Sequence, residues 1–128
     1  MAKKIPDAIM DVALAAIADA GDTLHACSGE PADYAGIAAL TLGSVALTEG
    51  SGNGDYTIGN GDVSGRKLAL AAQTIASATD DGNVTHLVIA DAIGSVLLAV
   101  TTCASQAVLI GQQIDVDAYD PWEIRDPT

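Results

Sequence analysis

The middle and second half of the chain alternate short apolar runs with sharp turns, and this spacing restricts the fold more than any other feature. Residues 67–77 have the alternation of a strand, and the turn Asp80-Asp81-Gly82-Asn83 separates them from a second apolar run at 84–90. A further turn at Gly94 leads into a third run, 96–103. Two successive hairpins at such short spacing are typical of an antiparallel all-β domain.

Weaker strand signals lie on both sides of this region. Within 113–119, Ile114 and Val116 alternate with Asp115 and Asp117, which predicts one face toward the core and one toward water. Further short strands are predicted at 23–28, 44–48, 56–58 and 106–110.

The strand predicted at 84–90 is apolar on both faces. Val84 and Val88 alternate with Leu87 and Ile89, and such a pattern indicates that both sides of the strand are covered. We expect a second sheet on one side, and the N-terminal helix or a neighbouring subunit on the other.

A helix is predicted at 5–20. Pro6 and Asp7 suit its first turn, and Gly21 suits its end. Apolar residues at helical spacing predict one packing face, formed by Ile9, Met10, Ala13, Leu14 and Ile17. The sequence thus predicts a single, mainly β domain over residues 1–128. It would be an antiparallel β-sandwich or barrel-like domain (23–119) with one N-terminal α-helix and an extended tail at 120–128.

Composition limits both the core and the partners. Hydrophobic residues make up 49% of the chain, but Phe is absent, so Ala, Val, Leu and Ile must build the core. With so little charge on so apolar a chain, we expect neighbours to cover part of the apolar surface. The net charge of −12 argues against nucleic acid and anionic membranes as partners. The sequence contains no run of 18 apolar residues, so it predicts no membrane-spanning helix. Cys27 and Cys103 are interpreted as free thiols packed in the core.

The glycine-rich loops do not match a known cofactor motif. Gly52-Asn53-Gly54-Asp55 recurs at 59–62, and Asn-Gly pairs favour tight turns. Calcium bound through Asp55 and Asp62 is an alternative, although the loops do not have the EF-hand order. The spacing around Arg66 excludes a phosphate-binding P-loop.

Other residue types that carry chemistry are sparse. His25, Cys27, His86 and Cys103 could ligate zinc, but paired motifs with the usual spacing are missing. The sequence has no Gly-x-Ser-x-Gly and no His-Glu-x-x-His motif. We therefore predict a structural protein without a cofactor rather than an enzyme.

The predicted interface residues are the rare cations and the apolar part of the tail. Arg66 and Lys67 are two of only five basic residues, against 17 acidic ones, and pairing with Asp62 or Asp55 is the alternative to a partner contact. In the tail, the only Trp is an interface candidate that could instead pack on its own sheet. The tail candidates are Trp122, Ile124 and Arg125.

Two segments together resemble small virion proteins of tailed phages. Leu24-His25-Ala26-Cys27-Ser28-Gly29-Glu30-Pro31-Ala32-Asp33-Tyr34 is similar to a Leu-x-x-Cys-Ser-x-Glu-Pro-x-x-Tyr segment of that group. Gly61-Asp62-Val63-Ser64-Gly65-Arg66-Lys67 is similar to a second one. The resemblance implies a virion structural protein of the capsid decoration or cement type. Such a protein is made in the bacterial cytoplasm and binds the outer capsid surface.

The same resemblance implies particular partners. They are the major capsid protein and further copies of the chain, which we expect to form homotrimers. The alternatives are a tail, head–tail junction or fibre component and, from another class, a free carbohydrate- or ligand-binding β module.

Overall fold

The computed structural model describes residues 5–126 and is mainly β, with 47% strand, 15% helix and antiparallel sheets, as the sequence predicts. In chain order the elements are α1 (Asp7–Ala20), β1 (Thr23–Cys27), α2 (Ile37–Leu40), β2 (Thr41–Ala46), β3 (Tyr56–Asn60), β4 (Arg66–Leu70), β5 (Gln73–Ile75), β6 (Gly82–Asp91), β7 (Val96–Val108), β8 (Ile114–Val116) and β9 (Tyr119–Ile124). No helix in the described part is long and apolar enough to cross a membrane.

The first helix begins two residues later than predicted. Pro6 precedes it in extended conformation, and the Pro6 carbonyl accepts hydrogen bonds from the amides of Ile9 and Met10. At the other end the Gly21 amide donates to the carbonyl of Ile17 (2.7 Å). The helix packs against β3 and β4.

The largest sheet has four antiparallel strands in the order β2-β1-β6-β7. The predicted hairpin between the second and third apolar runs is confirmed as β6–β7. The strand β7 is longer than predicted, because it merges the runs at 96–103 and 106–110. Two irregularities interrupt its pairing with β6, and at one of them Leu98 is an extra residue with no partner. Such bulges bend a strand and increase its twist.

The other predicted hairpin is wrong. Residues 67–77 do not pair with β6, because the chain breaks at Ala71 and Ala72 into two short strands. The first, β4, lies between β3 and β9 in a three-stranded antiparallel sheet, and the second, β5, pairs with β8. An alternating pattern specifies a strand and its faces but not its partner, and here the partners are distant in sequence.

The predicted extended tail at 120–128 is also corrected. Residues Tyr119–Ile124 form β9, which pairs antiparallel with β4. Backbone groups of β4 that would otherwise lie at an edge are thereby paired. The remainder of the predicted tail that the structure describes, Arg125 and Asp126, lies outside any strand.

The main core lies between the three sheets and α1. It contains side chains from nearly every element, including Leu14, Leu24, Tyr56, Leu68, Leu70, Ile75, Ile89 and Ile114. The Tyr56 hydroxyl donates to the Gly21 carbonyl (2.9 Å), and burial raises the pKa of the phenol. The hydroxyl therefore stays protonated and can donate at neutral pH.

A second, smaller core covers the other face of β6, as its two-sided apolar pattern predicts. Val88 and Ala90 pack there with Cys27 and Ile37. The cover comes from the segment 31–40, which contains α2, and not from the N-terminal helix. A segment rich in Ala with Pro and Gly gives little periodicity from which to predict this role.

Three of the five predicted packing residues are buried: Leu14, Ile17 and Cys27. Cys103 is half-buried against the main core. The prediction for Ile9 is wrong, since 61% of this residue is exposed. The buried face of α1 consists of Met10, Leu14, Ile17 and Ala18, so it is rotated around the helix relative to the predicted face.

Candidate interaction surface

An apolar groove opens where α1 passes the end strands of the two largest sheets. It encloses about 570 Å³. Its lining contains no charged residue and consists of Ala13, Ala16, Ile17, Leu98, Ala99, Val100, Pro121 and Trp122. A concave surface of this size and composition is suited to holding apolar groups of another molecule.

The register of β9 explains the position of Trp122. Trp122 lies opposite Leu68 of β4, and paired residues of antiparallel strands project from the same face. Leu68 is fully buried beneath the helix, whereas Trp122, on the outermost strand, remains 43% exposed. The indole thus forms a wall of the groove. The structure shows this residue packed on its own sheet with part of its indole exposed, and a contact of the exposed part with a partner stays a prediction.

The groove continues onto an exposed apolar stripe of α1. Ile9, Ala13 and Ala16 recur at intervals of four and three residues, so they share one helix face. Ile9 and the adjacent Val12 are 61% and 68% exposed. We call the groove together with Ile9 and Val12 the α1–Trp122 surface. Exposed large apolar residues that form one contiguous patch are typical of interaction sites.

Arg66 is held within the subunit. Its Nε donates to Asp11 of α1 (2.7 Å) and one terminal nitrogen donates to the Asn60 side chain (2.8 Å). The hydrogen bond with Asp11 raises the pKa of the guanidinium. This pair ties the helix to β4, and it involves Asp11 rather than the predicted Asp62 or Asp55.

Lys67 is also held within the subunit. Its Nζ donates to Asp62 of the preceding turn (2.8 Å) and to Asp120 of β9 (3.1 Å). These hydrogen bonds raise the pKa of the ammonium, that with Asp62 most. The sequence predicts Asp62 as an ion-pair partner of Lys67. It does not predict Asp120, which lies in the segment expected to be an extended tail. The structure therefore places both candidate interface cations in internal pairs.

The last two interface candidates lie apart from the groove lining. Ile124 is half-buried against the main core, so it has a packing role. Arg125 is exposed and its Nε lies 3.6 Å from Glu123. Of the five residues predicted for an interface, only Trp122 lines the α1–Trp122 surface.

A second groove, of about 270 Å³, lies between β7 and the 114–119 segment. Cys103 and Tyr119 line it, and burial raises the pKa of both side chains, which keeps them uncharged at neutral pH. Asp115 and Asp117 also contribute to the lining. It is smaller than the first groove, and no stripe of exposed apolar residues extends from it along α1.

The glycine-rich loops are held by hydrogen bonds of the chain. Asp55 accepts from the Thr48 amide (2.6 Å) and from the Gln73 side chain (2.9 Å), and Asp62 is paired with Lys67. The second copy leads into the connection of the β3–β4 hairpin, but Asn60 still pairs with Arg66 and the positive φ belongs to Gly65 (71°), so the tight Asn-Gly turn predicted here is wrong. Within residues 5–126, no three His, Cys, Asp or Glu side chains converge in a way that could hold a metal ion.

The zinc candidates have other surroundings. His25 shares a hydrogen bond with Thr41 (3.1 Å), and burial lowers the pKa of its imidazole. Cys27 is fully buried, which raises the pKa of its thiol to about 11. At neutral pH this thiol is protonated, and the thiolate is the form that ligates metals.

Sequence reasoning missed most of the groove. The sequence predicts only strand positions for Leu98 and Val100, and it assigns no role to Val12. The spacing of Ile9, Ala13 and Ala16 was visible, but it does not reveal which side of a largely apolar helix faces water.

The two segments that carry the family resemblance occupy separate places in the fold. Residues 24–34 span β1 and the chain leading to α2, and residues 61–67 form the turn into β4. No family model, curated protein sequence or solved structure matches this chain.

Proposed function

We propose that the protein is a structural component of a tailed-phage virion, a decoration or cement protein that binds the outer surface of the capsid. The observation that carries the proposal is the α1–Trp122 surface, an exposed apolar patch on a strongly acidic domain. Such a patch on a small domain needs a neighbour to cover it. The resemblance of residues 24–34 and 61–67 to virion proteins supplies the kind of neighbour.

The charge distribution supports an outward-facing position. The chain has 17 acidic and five basic residues, and the described cations Arg66 and Lys67 are neutralised internally. An acidic subunit would be repelled by packaged DNA and tolerated on the outside of the shell. Many copies, each making modest contacts with the major capsid protein and with one another as trimers, would add their binding energies to the stability of the shell.

The decisive experiment is to locate the protein in particles. Phage particles from the source of this sequence should contain the chain, and a cryo-electron microscopy map should show its β domain on the outer surface between capsomers. Density at the tail or the head–tail junction would favour those alternatives. Absence from purified particles, established by mass spectrometry, would refute every virion role.

The groove gives some support to one alternative function, a free ligand-binding β module. Its volume of about 570 Å³ lies within the range of small-molecule sites, roughly 300–1,000 Å³. The groove is open along α1, however, and only one aromatic side chain, Trp122, lines it. Stacking of sugar rings usually uses more aromatic surface than this. A contact with another protein therefore accounts better for the apolar stripe beyond the groove.

A further inference from the structure

We propose that the groove between α1, β7 and β9 docks an extended apolar segment of a partner protein, with Lys or Arg beside its apolar residues, rather than a second copy of this chain. The inference deepens the proposed function, because it names the chemistry of the partner that the α1–Trp122 surface would contact. It follows from the lining of the groove, the strand edges beside it and the charge of the molecule.

The lining favours apolar side chains. Two alanines of α1, Ala13 and Ala16, leave depth on one side, while Leu98 and Trp122 form larger walls. An apolar side chain that enters would bury the exposed part of the indole. Aromatic residues at the centre of such sites contribute most to binding in typical interfaces.

The flanking strands favour an extended segment. β7 ends the four-stranded sheet and β9 ends the three-stranded sheet, and the two strands are neighbours at the groove. Of the strands that the structure describes, only β6 pairs with β7. β7 is 13 residues long and contains no charged residue and no proline, two of the usual guards of an exposed edge, and a bulge at Leu98 is the guard it does have. An exposed strand edge without charges or proline, beside an apolar groove, is an arrangement by which sheets bind extended peptides.

The charge of the molecule selects a cationic partner. No residue of the lining is charged, and Asp19 follows Ala16 by one helical turn on the exposed side of α1. A second copy would bring the same net charge of −12 to the groove, and like charges oppose close approach, so we assign the contacts between copies in the proposed trimers to other surfaces. Lysine or arginine beside the apolar residues of a partner segment would instead be attracted.

The only tryptophan of the chain, Trp122, lies in the groove and reports binding by its fluorescence. The probe is a synthetic peptide of about eight residues, the length of a typical strand, that alternates Leu and Lys. We expect a saturable shift of the Trp122 emission to shorter wavelength, with an affinity that falls as salt screens the attraction. Two matched peptides, alternating Leu with Glu and Ser with Lys, should give no such shift.

Two variants of α1 test the location. Ala16→Gln places a larger polar side chain in the groove and should weaken binding of the Leu/Lys peptide by at least about fivefold. Ala8→Gln changes another exposed alanine of α1, outside the groove lining, and should leave the affinity unchanged. Both variants change one exposed helix residue, so both should fold.

Four results would overturn the inference. They are equal binding of the Ser/Lys peptide, no saturable response to the Leu/Lys peptide, equal weakening by both variants, and a wild-type oligomer that Ala16→Gln dissociates but Ala8→Gln does not. The last result would identify a second copy as the occupant. If the protein is found on the capsid while the peptide fails to bind, this inference fails and the proposed function stands. If the peptide binds but the protein is absent from particles, the proposed function fails and this inference stands.

Discussion

Gly21 lies where the end of α1, β6 and the Tyr56 hydroxyl meet. Its backbone is extended, with φ −74° and ψ 96°, so an L-residue would tolerate the conformation. The space around it is the constraint. An added Cβ would overlap Tyr56 Oη and would lie 2.7 Å from Cγ2 of Ile89 and 2.9 Å from the Ile17 carbonyl oxygen. The hydrogen bond from Tyr56 to the Gly21 carbonyl depends on this close approach.

We therefore expect Gly21→Ala to lower the free energy of unfolding by about 1–3 kcal/mol, the range of overpacked core positions. The matched control is Gly59→Ala, because Gly59 lies in β3 with nothing within 4 Å of an added Cβ. That variant should be as stable as the wild type or slightly more stable. Urea denaturation of both variants measures the difference. Equal stability of the two would show that the core around Tyr56 can move to make room.

At the scale of elements, β9 completes the environment of β4. Tyr119 and Trp122 lie opposite Leu70 and Leu68, and Lys67 donates to Asp120. Both leucines are buried in the described structure. Without β9 they would be exposed at the edge of a two-stranded sheet, and such small sheets have little stability of their own.

Ending the chain after Ala118 should lower the free energy of unfolding by about 3 kcal/mol or more, because it exposes buried apolar side chains and removes backbone hydrogen bonds. The control ends the chain after Arg125 and keeps the whole of β9. In the described structure that control loses only an exposed hydrogen bond from the Asp126 amide to Ser64 (3.2 Å), so it should be nearly as stable as the intact chain. Thermal unfolding followed by circular dichroism compares them. A similar melting temperature for the two truncations would contradict the role assigned to β9.

The elements differ in how far they could be predicted. The helix and the β6–β7 hairpin carry local signals, namely helical spacing between Pro6 and Gly21 and a short turn at Gly94. The pairing of β4 with β9 and of β5 with β8 joins distant segments, and no local pattern encodes such partners. Pro121 lies within β9, where it is tolerated because β9 is an edge strand.

The candidate site was predictable only in part. A single tryptophan near the end of the chain pointed to a contact, and the structure places Trp122 in the groove. The other walls come from α1 and from the bulged part of β7. Their meeting depends on the tertiary arrangement, which a sequence pattern does not contain. The two cations predicted for an interface do not line the groove, and they are paired with nearby acids, Asp11, Asp62 and Asp120.

At the scale of the whole molecule, repulsion among acidic residues opposes the attraction within the few ion pairs. The chain carries 17 acidic residues and five basic ones. The described pairs between Arg66 and Asp11 and between Lys67 and its two aspartates are partly exposed, so each contributes little. A net charge of −12 repels itself in the compact state more than in the expanded unfolded chain. Repulsion should therefore dominate the response of stability to salt.

We expect the melting temperature to rise by about 3–5 °C between 0.01 M and 0.15 M sodium chloride, a change equivalent to about 1 kcal/mol for a domain of this size. The reason is that the screening length falls from about 30 Å to about 8 Å over this range. Most of the rise should be complete by 0.15 M. A rise that begins only at molar salt would instead reflect salt effects on apolar hydration. Calorimetry across the series, with sucrose at matched osmolality as the control, measures the effect. A melting temperature that falls as salt is added would mean that the internal pairs of Arg66 and Lys67 outweigh the repulsion among the remaining acids.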